Sequence, residues 1–176
     1  MKLLAFCGSL RRASTNATLL RAAARIAPAG MELEIFDGLG DLPLFNPDLE
    51  RPDLEQQLPP AVRRLHGAIE SCDALLIASP EYAHGVTGVL KNALDWLVSF
   101  EGFVGKPVAL FNASPRSVHA AASLREILLT MSATLLTDAC LDLPLRGMAL
   151  EEQGIIDSHG PAIRAALNLM KGVRPT

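Results

Sequence analysis

Three short stretches of this sequence concentrate side chains that could hold a ligand. The first, GSLRRASTN at 8–16, offers the hydroxyls of Ser9, Ser14 and Thr15, the Asn16 amide and the guanidiniums of Arg11 and Arg12. It leads into a helical pattern, and the dipole and unpaired N–H groups of a helix start favour an anion such as one phosphate. The same residues also suit a plain N-cap, Ser14 or Thr15, beside a solvated arginine pair. The second stretch, SPEYAHGVTG at 79–88, begins with a rigid Pro80-Glu81-Tyr82 turn whose backbone could face a flat heterocycle. Tyr82 would wall that heterocycle, and Gly85 and Gly88 admit close approach. Glu81 stands alone as a carboxylate and reads either as a ligand contact or as a structural acceptor. His84 reads as a rim residue, because no second His or carboxylate lies at metal-ligand spacing from it. The third stretch, ASPRS at 113–117, adds Ser114 and Arg116.

Several chemistries lose their support at once. The first loop is neither a Walker A loop nor a GxGxxG fingerprint. Ser79 precedes a proline and lies in no GxSxG elbow. Cys7, Cys72 and Cys140 are widely spaced with no CxxC, so neither a disulfide framework nor a metal site is indicated. His66, His119 and His159 are scattered and receive no role. Many binding groups without a nucleophile–base pair suit a cofactor that carries the chemistry itself.

The elements that must position these loops follow from hydrophobic periodicity. Strands are expected at 2–7, 31–36, 73–78 and 108–112, with a last edge strand from 134 toward 141. Helices are expected at about 16–27, 61–71, 89–97, 118–132 and 161–171. MELEIF at 31–36 alternates apolar and acidic residues, which suits a sheet edge. The run LLIA at 75–78 suits a strand buried on both faces. A long connection at 38–60 carries five prolines, and 148–158 reads as polar and irregular. Pro43, Leu44, Phe45, Trp96 and Phe100 are candidates for subunit contact. Trp96 and Phe100 stand at (i, i+4) on the helix after the second loop, placed for core or subunit packing.

This alternation predicts an α/β fold, a flavodoxin-like three-layer sandwich with a five-stranded parallel sheet in order 2-1-3-4-5. One domain is expected over the 176 residues, 49% hydrophobic and 20% charged. A net charge of −3 gives no electrostatic case for nucleic acid, and no apolar run is long enough to span a membrane. The amino end lacks a signal-peptide pattern, so a cytoplasmic protein is expected. In the 2-1-3-4-5 order, the first two loops meet at the switch point between the first and third strands, where ligands bind.

Taken together and in this order, GSLRRASTN, LPLFNPDLE at 42–50 and SPEYAHGVTGVLKNALDWL at 79–97 resemble the NAD(P)H-dependent FMN reductase family. That group includes flavin, quinone, azo-dye and chromate reductases. The resemblance implies FMN as cofactor, its phosphate held by Ser9, Arg11, Ser14, Thr15 and Asn16. It implies that Pro80, Glu81, Tyr82, Ala83, His84 and Gly85 edge the ribityl chain and ring, with Ser114 reaching from the other side. It further implies a ping-pong reaction in which NADPH or NADH reduces the flavin. A small-molecule electron acceptor (free flavin, a quinone, chromate or an azo compound) then reoxidises it. No side chain is expected to act as a catalyst, with Arg116 a candidate to stabilise negative charge on the reduced ring. A homodimer or homotetramer is expected on the same ground. The alternative is a flavin-free or non-catalytic module that binds another phosphate ligand. Family members usually read Tyr-Asn where this chain has Tyr82-Ala83, and a glycine-rich third loop where it has Ser114 to His119.

Overall fold

The computed structural model describes residues 1–50, 58–145 and 151–173. Residues 51–57, with Pro52 of the long connection, and 146–150, of which 148–150 open the stretch read as irregular, lie outside the described residues.

Strand β1 (Lys2–Cys7) pairs in parallel with β2 (Glu32–Ile35) on one side and β3 (Ala74–Ala78) on the other. Strand β6 (Pro107–Asn112) continues the sheet beyond β3, and β7 (Thr134–Leu135) ends it. The order β2-β1-β3-β6-β7 is the expected doubly wound arrangement, with its reversal between β1 and β3. A two-stranded antiparallel hairpin, β4 (Glu81–Tyr82) and β5 (Gly85–Val86), stands apart from the main sheet.

The central strands are apolar except at Lys2 and Asn112, because both faces are covered. Leu3, Ala5, Leu76, Ala78, Ala109 and Phe111 face one core, under α1 (Thr15–Arg25) and α5 (Glu152–Lys171). Leu4, Phe6, Leu75, Ile77, Val108 and Leu110 face the other, under α2 (Pro60–Glu70), α3 (Gly88–Asp95) and α4 (Val118–Thr130). The period of two along each strand assigns successive residues to opposite cores. The helix α2 is closed at its carboxyl end by Lys106, whose Nζ donates to the carbonyls of Ile69 and Cys72, each at 2.9 Å. Cys72 is buried there, and burial pushes its thiol pKa up.

Three expectations are corrected. The final helix starts at Glu152, not near Pro161, so the described residues from 152 on are helical rather than irregular. Proline normally starts or breaks a helix, since it lacks the N–H that would bond back one turn. Here the first turns are fastened from outside: Arg21 Nε donates to Glu152 at 2.8 Å, Arg25 reaches Gln153 at 3.2 Å, and Ile155 is fully buried. Tertiary packing outweighs the one lost hydrogen bond. The last edge strand is two pieces, β7 and β8 (Leu141–Asp142), both parallel to β6 and separated by a 3-10 turn at Thr137–Ala139. The Cys140 sulfur bridges the gap by accepting the Leu110 N–H at 3.4 Å.

The third correction concerns the aromatic residues. The helix α3 stops at Asp95, so Trp96 and Phe100 do not share a helix face. Trp96 is wholly buried, donates its indole N–H to the Pro43 carbonyl at 2.8 Å, and meets Phe45 edge to face. Phe100 stacks on His66, whose Nε2 lies 2.9 Å from the Trp96 carbonyl. Asn92 pins the same loop from both directions, accepting the Phe45 N–H at 2.8 Å and donating to the Pro43 carbonyl at 2.9 Å. These side chains hold the 42–45 loop onto α3; of the five contact candidates, Leu44 stays exposed at 85%.

Candidate functional site

At the carboxyl ends of β1, β3 and β6 the three polar loops converge on one crevice of about 400 Å³. It is lined by Thr15 and Asn16 from α1, by Ser79, Pro80 and Glu81 after β3, and by Asn112, Ala113, Ser114 and Ser117 after β6. Its position is where a doubly wound sheet opens, because the crossovers leave the switch point to opposite sides.

The first loop ends on Ser14, which is the N-cap of α1 and accepts the Ala17 N–H at 3.3 Å. The first turn of α1 contains no acid, and the N–H groups of Thr15 and Asn16 have no acceptor among the described residues. Asn16 is buried, and its Oδ1 has no hydrogen-bond partner among the described residues. A buried amide oxygen left alone costs free energy. A ligand hydroxyl would satisfy it, or the amide could turn its NH2 toward an anion. Arg11 and Arg12 are exposed and form no ion pair among the described residues. The helix start, the orphaned amide and the two unpaired cations fit the phosphate and adjoining hydroxyls of a flavin mononucleotide.

Close approach of β1 and β3 builds the floor. Gly8 N–H donates to the Ala78 carbonyl at 2.9 Å, and a Cβ on Gly8 would lie 2.1 Å from Ser79 Oγ. Ser79 Oγ is itself engaged, donating to the Pro80 carbonyl at 3.2 Å and lying 3.4 Å from Thr87 Oγ1. No side chain fits at position 8 without moving this set.

The second stretch is the β4–β5 hairpin rather than a simple proline turn. Its two connecting residues, Ala83 and His84, have φ of 49° and 58°. Two left-handed residues in succession make the type I′ turn, which matches the strand twist and prefers Asn then Gly. Ala83 therefore sits where an Asn would be at lower cost. Tyr82 is 58% exposed on this hairpin.

The third loop is arranged by Asn112. Its Oδ1 accepts the Ser114 N–H at 3.1 Å, and its Nδ2 donates to Asp142 Oδ1 at 2.8 Å on β8. Ser117 N–H then donates to the Ser114 carbonyl at 3.0 Å, and α4 starts at the next residue. Ser117 caps that helix with no side-chain bond. Glu81 does so instead from across the crevice, its Oε2 accepting the Ala120 N–H at 2.8 Å. His84 stacks on His119 with ring centroids 4.4 Å apart and planes 9° from parallel.

Of the residues expected at the site, Thr15, Asn16, Pro80, Glu81 and Ser114 line the crevice. Ser9, Arg11 and Ser14 belong to the loop that feeds it, and Tyr82, Ala83, His84 and Gly85 form the adjoining hairpin. Arg116 is exposed on the third loop and does not line the crevice. Sequence reasoning missed Gly8, Ser79, Asn112, Ala113, Ser117 and His119. A polar residue ending an otherwise apolar strand was the available signal for Asn112. Among the described residues no group of three potential metal ligands occurs, and no helix is long and apolar enough to cross a membrane.

Residues 1–143 match the family model described as NADPH-dependent FMN reductase. An NAD(P)H-dependent FMN reductase of Pseudomonas aeruginosa is 41% identical over 116 residues, spanning 65% of this chain and 60% of that protein. A quinone reductase of Escherichia coli (strain K12) is 34% identical over 138 residues, spanning 76% of this chain and 72% of that protein. Among solved structures, FerB, a flavoenzyme NAD(P)H:(acceptor) oxidoreductase from Paracoccus denitrificans, superposes with a TM-score of 0.77. The two are 26% identical, over 97% of each chain. With its switch-point crevice and its open helix start, the chain belongs to the NADPH-dependent FMN reductase family.

Proposed function

We propose that the protein is an FMN-dependent oxidoreductase, one flavin-binding domain that carries reducing equivalents from NAD(P)H to a small acceptor in two half-reactions. The observation that supports this most is the start of α1: two N–H groups without acceptors beside a buried Asn16 oxygen without a donor, among the described residues. Bound there, FMN would supply the redox chemistry, accepting a hydride from the reduced nicotinamide and passing electrons on to the acceptor. The chain's own groups bind and orient. The N–H groups of Thr15 and Asn16 would donate to the phosphate, with the helix dipole favouring its charge. Arg11 would close over it from solvent. The Asn16 amide would meet the ribityl chain, and the β4–β5 hairpin with Ser114 would edge the ring.

The Arg116 guanidinium, unpaired among the described residues, is available to offset negative charge on the ring edge. The similarity to the quinone reductase of Escherichia coli favours a quinone as acceptor. A homodimer or homotetramer that used the 42–45 loop would do so through Leu44, since Phe45 and Trp96 are engaged within the chain.

The test is an absorption spectrum of purified protein with added FMN, followed by NADPH under anaerobic conditions. Retention of FMN through gel filtration and bleaching by NADPH are expected. A protein that neither retains FMN nor perturbs its spectrum would contradict the reading and favour a flavin-free phosphate-ligand module.

A further inference from the structure

We propose that Glu81 is a positioning residue for the flavin: it locks the β4–β5 hairpin to the third loop and keeps anions away from the start of α4. The inference rests on the flavin reading above and assigns a distinct task within it. Hairpin and α4 are joined at two points. At the hairpin base, Glu81 Oε2 accepts the Ala120 N–H at 2.8 Å. At the tip, His84 stacks on His119 at 4.4 Å. His119 and Ala120 are consecutive in the first turn of α4, which the third loop enters directly. A latch at each end fixes both the distance and the tilt of the hairpin against Ser114 and Ser117. The space left beneath it, lined in part by Val86, Ser117, Ala120 and Leu124, is a small cavity of about 30 Å³.

The second part of the task is electrostatic. The starts of α1 and α4 both border the crevice, and each could attract a phosphate. A carboxylate at α4 satisfies one of its N–H groups and offsets the helix dipole, so the phosphate is directed to α1. The position is specific to Glu81, because Ser117 makes no side-chain cap.

The experiment compares wild type with Glu81→Ala, Glu81→Gln and His119→Ala. It measures amide hydrogen exchange at Ala120 without flavin, and the dissociation constants of FMN and of riboflavin. Losing a charge-assisted hydrogen bond predicts about a tenfold faster Ala120 exchange and about a tenfold loss of affinity in Glu81→Ala. Riboflavin should weaken at least as much as FMN, because the latch acts on the ring side and a freed α4 start no longer disfavours the phosphate. Glu81→Gln keeps an acceptor and should restore most of the riboflavin affinity and the slow exchange. His119→Ala should weaken both flavins by a few-fold and serves if Glu81→Ala does not fold. Unchanged flavin affinities in these variants, with wild type binding both flavins, would overturn the inference alone. So would a lower melting temperature with flavin binding intact, which is the mark of a merely structural cap. Wild-type protein that binds neither flavin would overturn the flavin reading, and this inference with it.

Discussion

Two helices begin at the same crevice and are finished differently. Each has the N–H of its third residue capped. At α1 the cap is the neutral Ser14 hydroxyl, with no acid in the first turn. At α4 it is the Glu81 carboxylate, brought from another loop. The α1 start remains attractive to a phosphate, whereas the α4 start has its charge already offset. The difference separates two jobs that a flavin mononucleotide imposes, holding a doubly charged phosphate and edging a ring that is neutral when oxidised. A helix start is thus an anion site only where the protein leaves it uncompensated.

The comparison breaks most directly if α1 is finished like α4. Ser14→Asp keeps a good N-cap but places a negative charge where the phosphate is expected. At short range near a protein surface such repulsion reaches a few kcal/mol, so FMN affinity should fall about a hundredfold. Riboflavin, which lacks the phosphate, should bind as before. Fluorescence quenching titrations of both flavins check this, and equal losses would place the phosphate elsewhere.

The next effect is on the floor that joins the two sides. Gly8→Ala puts a methyl group 2.1 Å from Ser79 Oγ and 2.6 Å from Ser79 Cβ. Overpacking of this kind costs about 1–3 kcal/mol. Thermal or urea unfolding should show the loss, and adding Ser79→Gly should recover much of it, a non-additivity expected only for residues in contact. Additive losses would mean that the two positions do not meet.

A smaller effect, of opposite sign, is expected on the hairpin. Ala83 and His84 both lie at positive φ, and alanine there is strained. Ala83→Asn should stabilise the protein by about 0.5–1 kcal/mol in a urea titration, since Asn tolerates the left-handed region. Loss of stability would show that the turn is not the type I′ form.

The smallest effect lies far from the crevice and serves as a control. The Arg64 guanidinium holds the exposed Asp37 carboxyl below its ordinary value of 3.8, chiefly by a hydrogen bond and then by charge. A lowered folded pKa contributes stability above the unfolded value, and that contribution disappears as pH falls through the folded one. Asp37→Asn should therefore lower the melting temperature slightly at neutral pH, by less as the solution is made more acidic than 3.8, and leave flavin affinity unchanged.

What could be read from the sequence divides along the same line as the two helix starts. The α1 side is local: Gly8 through Asn16 are contiguous, so a cap, its hydroxyls and its arginines were visible together. The sheet order was legible because β1, β3 and β6 are apolar from Leu3 to Cys7, Ala74 to Ala78 and Pro107 to Phe111, as strands covered on both faces must be. The α4 side is non-local. Glu81 meets Ala120 across 39 residues, and His84 meets His119 across a similar separation, so neither partner could be named from spacing. Trp96 was misplaced on a helix face for the same reason, since its partner, the Pro43 carbonyl, lies 53 residues back. Pro161 misled in a different way. The proline rule is a local preference, and Arg21, Arg25 and the buried Ile155 override it through packing on α1.

The measurement that tests the central claim most directly is the ratio of FMN to riboflavin affinity in the unmodified protein. Two or more charge-assisted hydrogen bonds from the α1 start, at about 1.5–3 kcal/mol each, predict FMN binding at least about a hundredfold more tightly than riboflavin. The ratio should shrink as salt is raised, because the contribution is electrostatic. Equal affinities for the two flavins at low salt would contradict the assignment of the phosphate to α1.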